Sequence, residues 1–393
     1  MSTDDGKRRG GSPTIFISAA EPSADLHAAG LIRAYRAVDP DARFAGIAGP
    51  LMRDAGCRGL YDMTAHAAML AGAFKVVPRA LAAIRLSKRY LVQNNVDLAV
   101  VVDSPTLHIP LTRHARRAGT PVLYYIAPQL WAWGEHRIRR LRARVDRLAV
   151  ILPFEEDYFC KRGLRADYVG NPLFDELTAR SIDEVLVDRL RARGTPLIVI
   201  LPGSRRHVVQ EVFAGQLDVA RAIARRFDGA HFCVSVANDR VEPVIREQLA
   251  GFMPPHSLHH QQNGALFCAA DLALIASGTA TLEAAFYHIP MIVMYNTTRV
   301  GYHLIGRWFI NCRYYSLVNI LAGREAVPEF MPFYRSTQPI VARALRLLES
   351  PEELARMRRE LAEVLDPLIK TGAAANTAAI MRQMITGEEK VSG

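Results

Sequence analysis

Short apolar runs alternate along this chain with longer segments whose apolar residues recur at helical spacing. The runs Thr14–Ser18, Arg43–Ile47, Asp97–Val102, Val122–Ile126 and Arg147–Leu152 read as strands, with helical patterns at about Asp25–Val38 and Ala80–Asn94 between them. The pattern restarts after Asn171 and Pro172. A charged helical stretch, Ile182 to Arg193, leads into Pro196–Leu201, and His231–Ser235, Asp271–Ile275 and Met291–Tyr295 follow as further strands. Such alternation predicts βαβ units and mostly parallel sheets, an α/β fold. The expected division is a disordered tail over 1–13, a first domain over 14–180, and a second over 181–364. A final helix, about 365–393, is expected to pack back on the first domain.

Open α/β sheets take ligands beyond the carboxyl ends of their strands, so the loops that follow the strands are where chemistry is expected. The most informative is Ala276 to Glu283 (ASGTATLE). Ser277, Gly278 and Thr279 turn a strand into a helix, and the unpaired amides and positive dipole end of a helix start attract anions. Glu283 lies one turn later on the same face, where a carboxylate can accept both hydrogens of a ribose diol. Together they suit a nucleoside diphosphate; a capped helix with a surface Glu is the plainer reading. Leu201 to Arg205 (LPGSR) ends another strand. Gly203 permits close backbone approach, Ser204 follows it, and Arg205 offers a planar fork for phosphate oxygens. Asp103 directly follows the strand Asp97–Val102 and suits a general base on a substrate hydroxyl, or else forms the turn before Ser104 and Pro105. In the first loop, Ala20 to Asp25 (AEPSAD), Ser23 is placed to cap the helix, and Glu21 and Asp25 to orient sugar hydroxyls or move a proton. The loop lacks the glycines of a dinucleotide fingerprint. Trp131 and Trp133 suit stacking on a sugar or, equally, core packing. Asn319 and Arg324 flank a glycine and suit a second anion or sugar contact.

The chain has 393 residues, a formal charge of +10 and a pI near 9.5. A basic surface favours anionic partners. No zinc-finger or RNA-binding signature directs that charge to nucleic acid. Five scattered cysteines without a C-x-x-C indicate a reducing compartment and no disulfide scaffold. The histidines between 256 and 260 follow two prolines and read as a loop rather than a metal site. Asp39 and Asp41 belong to a turn. No metal site and no cofactor is expected, so Arg205 and the helix starts would neutralise a leaving diphosphate. The first residues lack an apolar signal core, and no apolar run reaches membrane-spanning length. Met69 to Leu91, apolar with basic flanks, reads either as an element resting on anionic lipid or as a buried helix with snorkelling cations.

Taken together, these segments resemble the lipid-A-disaccharide synthase family across nearly the whole chain. The matching stretches are Gly46–Met52 (GIAGPLM), Tyr125–Trp133 (YIAPQLWAW), Leu152–Glu155 (LPFE), Val169–Gly170, Leu201–Arg205, Ala276–Glu283 and Ser316–Glu325 (SLVNILAGRE). The resemblance implies a GT-B architecture of two Rossmann-like domains with a cleft between them. It implies transfer of 2,3-diacylglucosamine from UDP to the 6-hydroxyl of 2,3-diacylglucosamine 1-phosphate, with inversion at the anomeric carbon. It also implies a peripheral place on the cytoplasmic face of an anionic membrane. The implied roles are Asp103 as base; Gly203, Ser204, Arg205, Ser277, Gly278, Thr279 and Glu283 on UDP; and Glu21, Ser23, Asp25, Gln129, Trp133, Asn319 and Arg324 on the sugars. The chain departs from the pattern where Ala20 and Ala24 replace glycines, Thr106 an Asp, His108 an Asn, Lys75 a Glu and Asn296 an Arg. Those departures keep two further readings open: a UDP-sugar transferase with another acceptor, and a non-catalytic UDP-sugar or lipid binder. A homodimer is also left open.

Overall fold

The apolar runs become two all-parallel sheets. The computed structural model describes residues 12–64, 73–132, 134–296 and 313–387. The first sheet has seven strands: β1 (Thr14–Ala19), β2 (Arg43–Ile47), β3 (Arg58–Tyr61), β4 (Leu98–Val102), β5 (Val122–Tyr125), β6 (Arg147–Val150) and β7 (Ala166–Tyr168), in the order β3-β2-β1-β4-β5-β6-β7. The second has six: β8 (Leu197–Leu201), β9 (His231–Val236), β10 (His256–His260), β11 (Leu272–Ala276), β12 (Met291–Met294) and β13 (Glu329–Phe330), in the order β10-β9-β8-β11-β12-β13. Both orders start 3-2-1-4-5-6 in sequence terms, the Rossmann winding, so each sheet reverses direction once: between β1 and β4, and between β8 and β11.

Two compact units follow from this winding. One holds the residues up to Asp175 and those from Lys370 onward; the other holds Glu176–Ile369. The chain passes from the first to the second within the helix Pro172–Ala179. In the first unit both sheet faces are covered, which is why its strands are apolar without alternation. Ile15 and Ile17 face one core with Leu31, Ile32 and the late residues Ala378, Ile380 and Met381. Phe16 faces the other core with Val101, Leu111, Tyr124 and Phe159. The late residues belong to the helix Ala373–Thr386, whose first amides, Gly372 and Ala373, are held by the Asp175 carboxylate at 2.6 and 2.8 Å.

In the second unit the long helix Arg206–Arg226 carries the fully buried Gln216. Its amide donates to the carbonyls of Leu201 and Leu274, on the two strands that flank the reversal, at 3.2 and 3.1 Å. The segment His256–His260 is a strand, β10, and not the loop its histidines and preceding prolines imply. It pairs in parallel with β9, and Ser257 Oγ lies 3.0 Å from His231 Nε2 on β9 and 2.8 Å from His259 Nε2 on β10 itself. The tail assigned to 1–13 and the end of the last helix fall largely outside the described residues. Among the described residues no helix is long and apolar enough to cross a membrane.

Candidate active site

In the first unit the candidate base stands at the sheet's reversal. Ala19 of β1 pairs with Val102 of β4, and Asp103 is the next residue. Asp103 and Ser104 both take left-handed backbone angles, φ 53° and 46°. Two such non-glycine residues in a row cost about 1–3 kcal/mol each unless their surroundings hold them. Here the Asp103 carbonyl accepts from His108 Nδ1 at 2.6 Å and from the Tyr124 hydroxyl at 2.8 Å, and its amide donates to Tyr125 O at 3.0 Å. His108 is fully buried, and burial lowers its pKa to about 4, so the ring is neutral. A carbonyl can only accept; Nδ1 therefore carries the proton, and Nε2 accepts from the Ser18 hydroxyl 2.8 Å away. The turn is thus fixed from β1, β5 and its own helix. Burial raises the pKa of the Asp103 carboxyl above its ordinary value, opposed by the Ser104 amide and the charge of His27. A half-buried carboxyl at a strand end with a raised pKa is a stronger proton acceptor than an ordinary carboxylate. Beside it Ser104 Oγ is buried and has no hydrogen-bond partner among the described residues.

The neighbouring loop differs from its sequence reading. The helix starts at Pro22, so Glu21 occupies the cap position and Ser23 lies exposed in the first turn without capping it. Asp25 is 2% exposed. Its carboxylate accepts from the amides of Gly49, Leu51 and Met52 at 2.9, 3.0 and 3.2 Å, so it starts the next helix, Pro50–Asp54, instead of facing a sugar. Gln129 is half-buried after β5. Trp131 donates to Glu155 at 2.9 Å and packs edge-on against Phe154. Trp133 lies outside the described residues.

In the second unit the two anion-suited loops meet. β8 and β11 are hydrogen-bonded neighbours, and a methyl group built on Gly203 would sit 3.7 Å from the Ala276 Cβ. Gly203 has φ +113°, and that methyl would also press to 2.9 Å on Val208, so only glycine suits the turn. Asn238, after β9, donates to the Ser204 carbonyl at 3.1 Å and fixes the loop from a third strand end. Arg205, at the cap position of the helix Arg206–Arg226, is exposed and makes no ion pair among the described residues. Across from it, Ser277 N is taken by Met294 O, whereas the amides of Gly278, Thr279 and Ala280 find no acceptor among the described residues.

Glu283 sits in the helix Ala280–Phe286, its side chain 13% exposed. Arg180 reaches one carboxylate oxygen at 2.9 Å and Asn263 the other at 3.0 Å. A carboxylate accepts about four hydrogen bonds, so capacity for a diol remains, on a side chain already oriented. Arg180, Asn263 and Asn238 carried no signal in the sequence, because each reaches its partner from far along the chain.

Asn319 and Arg324 both have partners within the second unit. Asn319 is fully buried; its oxygen accepts from Ala326 and Val327 N at 2.8 and 3.0 Å, and its amide donates to Val327 O and Glu329. It therefore pins a loop from inside. Arg324 is spent on Glu360 at 2.8 Å.

Two other features bear on function. A cavity of about 500 Å³ lined by Asn95, Asp97 and Thr120 opens at the amino ends of β4 and β5, the edge opposite the one that binds ligands, and we assign it no role. Of the apolar stretch Met69–Leu91, residues 69–72 fall outside the described residues. The helix Ala73–Gln93 buries one face, where Ala83, Ser87 and Leu91 are at most 2% exposed, while its Val77, Leu81 and Leu86 are 56, 55 and 38% exposed, close in sequence to exposed Arg85, Lys88 and Arg89.

The structural role of Asp25 has a direct test. Asp25→Ala leaves three amides without their acceptor, and should lower unfolding stability by about 3 kcal/mol, read by denaturant titration. A variant as stable as the parent would return Asp25 to the substrate contacts.

Similar folds occur in a Staphylococcus aureus MnaA–UDP co-structure, with TM-score 0.66, 12% identity, and coverage of 97% of this chain and 99% of that one. Acinetobacter baumannii MurG is also similar, with TM-score 0.56, 13% identity and 94% and 99% coverage. Both place the chain in the GT-B class of paired Rossmann-like units. Curated relatives are nearer. A lipid-A-disaccharide synthase of Syntrophus aciditrophicus is 35% identical over 386 residues, 95% of this chain and 98% of its own length. That of Solibacter usitatus is 34% identical over 381 residues, 96% and 98%. The family model described as lipid-A-disaccharide synthetase matches residues 15–383, from the first strand into the last helix. The chain belongs to the lipid-A-disaccharide synthase family.

Proposed function

We infer that this protein is an inverting hexosyltransferase of lipid A biosynthesis, which moves 2,3-diacylglucosamine from UDP to the 6-hydroxyl of 2,3-diacylglucosamine 1-phosphate. The single observation that carries this reading is family membership over nearly the whole chain. The 6-hydroxyl oxygen forms a bond to the anomeric carbon as the bond from that carbon to the diphosphate breaks. The hydroxyl proton passes to the Asp103 carboxylate, and UDP leaves on the opposite face. Negative charge builds on the leaving diphosphate, so fixed donors aimed at it lower the barrier. Arg205 and the amides of Gly278, Thr279 and Ala280 supply them, Gly203 and Ser204 let the backbone approach, and Glu283 accepts the ribose hydroxyls. On the acceptor side Glu21, Gln129 and the Ser104 hydroxyl contact the sugar. The reaction proceeds without a metal ion, since the guanidinium and amides take the charge a cation would otherwise take.

The proton-transfer role is exposed to mutation. With UDP-diacylglucosamine and the acyl-glucosamine 1-phosphate acceptor, Asp103→Asn should lower turnover by about 10²–10⁴-fold while UDP binding stays constant. The base works ionised, and burial raises its pKa. Wild-type kcat/KM should therefore rise with pH through a limb above the usual carboxylate range. Near-normal turnover in Asp103→Asn would move the base elsewhere.

On the donor side, Arg205→Ala should weaken UDP binding by about 1.5–3 kcal/mol in titration calorimetry, the worth of a charge-assisted contact. Turnover should persist in EDTA. Unchanged UDP affinity, or a strict need for added Mg²⁺, would overturn the metal-free donor site.

The helix Ala73–Gln93 supports a peripheral place on an anionic membrane, since its exposed Val77, Leu81 and Leu86 lie among cations. The protein should co-sediment with vesicles containing phosphatidylglycerol at low salt and leave them as salt rises. A protein that stays in the supernatant at low salt has no such attachment.

A further inference from the structure

A second basic feature of the first unit lies next to the candidate base. The helix Pro105–Arg117 and the basic segment beyond β5 enclose a cavity of about 340 Å³, within the range of small-ligand sites. Arg113 and His114 line it from one side, and Arg137, Arg140 and Arg144 from the other. The last three recur at three- and four-residue spacing, so one face of the short helix Ile138–Arg142 and its flanks presents all of them. No carboxylate lines the cavity. Of the acids nearest in sequence, Glu135 is engaged by Arg162 at 2.8 Å and Asp146 by Arg116 at 2.7 Å, and Asp103 is the candidate base. Arg113 and Arg140 make no ion pair among the described residues. Arg144 bonds the Ile109 carbonyl at 3.0 Å and ties the two walls together.

The ionisable side chains that line the cavity are all basic. Burial, followed by the charges of Arg113, Arg140 and Arg117, lowers the pKa of Arg144. Burial, followed by Lys88, Arg117, Arg113 and Arg144, lowers that of His114. Basic side chains gathered in a concavity that no carboxylate lines attract a polyvalent anion, and guanidinium forks match phosphate oxygens two at a time. We propose that this cavity is a phosphate-monoester site that holds the anomeric phosphate of the acceptor sugar. The identity of that sugar rests on the function inferred above. Position fits the assignment. Pro105 and Thr106, which line the cavity, come directly after Asp103 and Ser104. Tyr124, whose hydroxyl holds the Asp103 carbonyl, feels the charges of both Asp103 and Arg137. The carbon that bears the acceptor's phosphate and the carbon that bears its hydroxymethyl arm both flank the ring oxygen, so an anchor beside Asp103 keeps the reacting hydroxyl near the base.

The test uses the full chain and soluble probes. In titration calorimetry the wild type should bind glucosamine 1-phosphate more tightly than glucosamine. The double variant Arg113→Gln/Arg140→Gln changes two exposed side chains with no hydrogen bond of their own, and should weaken glucosamine 1-phosphate by about 10- to 100-fold. Its UDP affinity, its weak glucosamine binding and its melting temperature should stay as in the wild type. With the acylated acceptor, KM should rise and kcat hold. Equal affinity of variant and wild type for glucosamine 1-phosphate overturns the site. So does a defect confined to phosphatidylglycerol vesicles, which would make the cavity a lipid-headgroup contact. The two readings fail separately. A wild type that binds the sugar phosphate through these arginines but transfers no sugar leaves the cavity standing and removes the function. Normal transfer with an indifferent variant does the reverse.

Discussion

Everything at the ligand edge depends on one constraint: each parallel sheet reverses its winding between two strands that are themselves paired, β1 with β4 and β8 with β11. At that point neighbouring strands send their chains to opposite faces, and backbone groups that a ladder would satisfy have to be met by other means. The two units solve this differently. In the first, the carbonyl of Asp103 takes two donors, from a neutral imidazole and a phenol, and the pair of left-handed residues is held between them. In the second, a buried glutamine amide on the long helix satisfies the carbonyls of Leu201 and Leu274. The first solution yields a stiff, half-buried carboxyl. The second leaves amides and a guanidinium facing outward. The candidate base and the candidate anion contacts thus come from how each unit closes its sheet.

Much of this was legible in the sequence, because central parallel strands are buried on both faces and read as continuous apolar runs. The strands of Thr14, Leu98, Leu197 and Leu272, and the loops after them, could be placed for that reason. Edge strands could not. Arg58–Tyr61, Ala166–Tyr168 and His256–His260 are short and polar, and their pairing comes from a neighbour far along the chain. Polar loop residues were misread for a related reason. A sequence shows that Asp25, Asn319 and Ser23 stand where ligands bind, but not whether their polar atoms turn inward. Asp25 and Asn319 do, since each meets several backbone groups whose burial would otherwise be costly. Ser23 does not cap because Pro22 already begins the helix and moves the cap one residue earlier than Pro22, to Glu21.

The same inward use of polar groups explains why stretches that match the family carry no obvious chemistry. In Leu152–Glu155 the glutamate is 1% exposed and accepts from Ile151 N, Leu152 N and Trp131 Nε1. Burial lifts its pKa to about 7. It organises a helix start and a tryptophan, and nothing marks it for substrate. Motifs of this kind record how loops are held, and they surround the few side chains whose polar atoms remain unspent. Unspent capacity, at Ser104, Arg205 and the amides from Gly278 to Ala280, separates candidate contacts from scaffolding better than residue type does.

The helix Ala373–Thr386 fills the core beneath β1 although the whole second unit precedes it in the chain. The second unit is therefore an insertion within the first. During synthesis Glu176–Ile369 can close its own sheet and core as soon as it emerges, whereas the unit begun earlier waits with an open apolar face until Ala378, Ile380 and Met381 arrive. Order of completion then runs against order of translation. Until then the nascent amino-terminal sheet keeps the apolar face that Ala378, Ile380 and Met381 will cover open to solvent or to a chaperone.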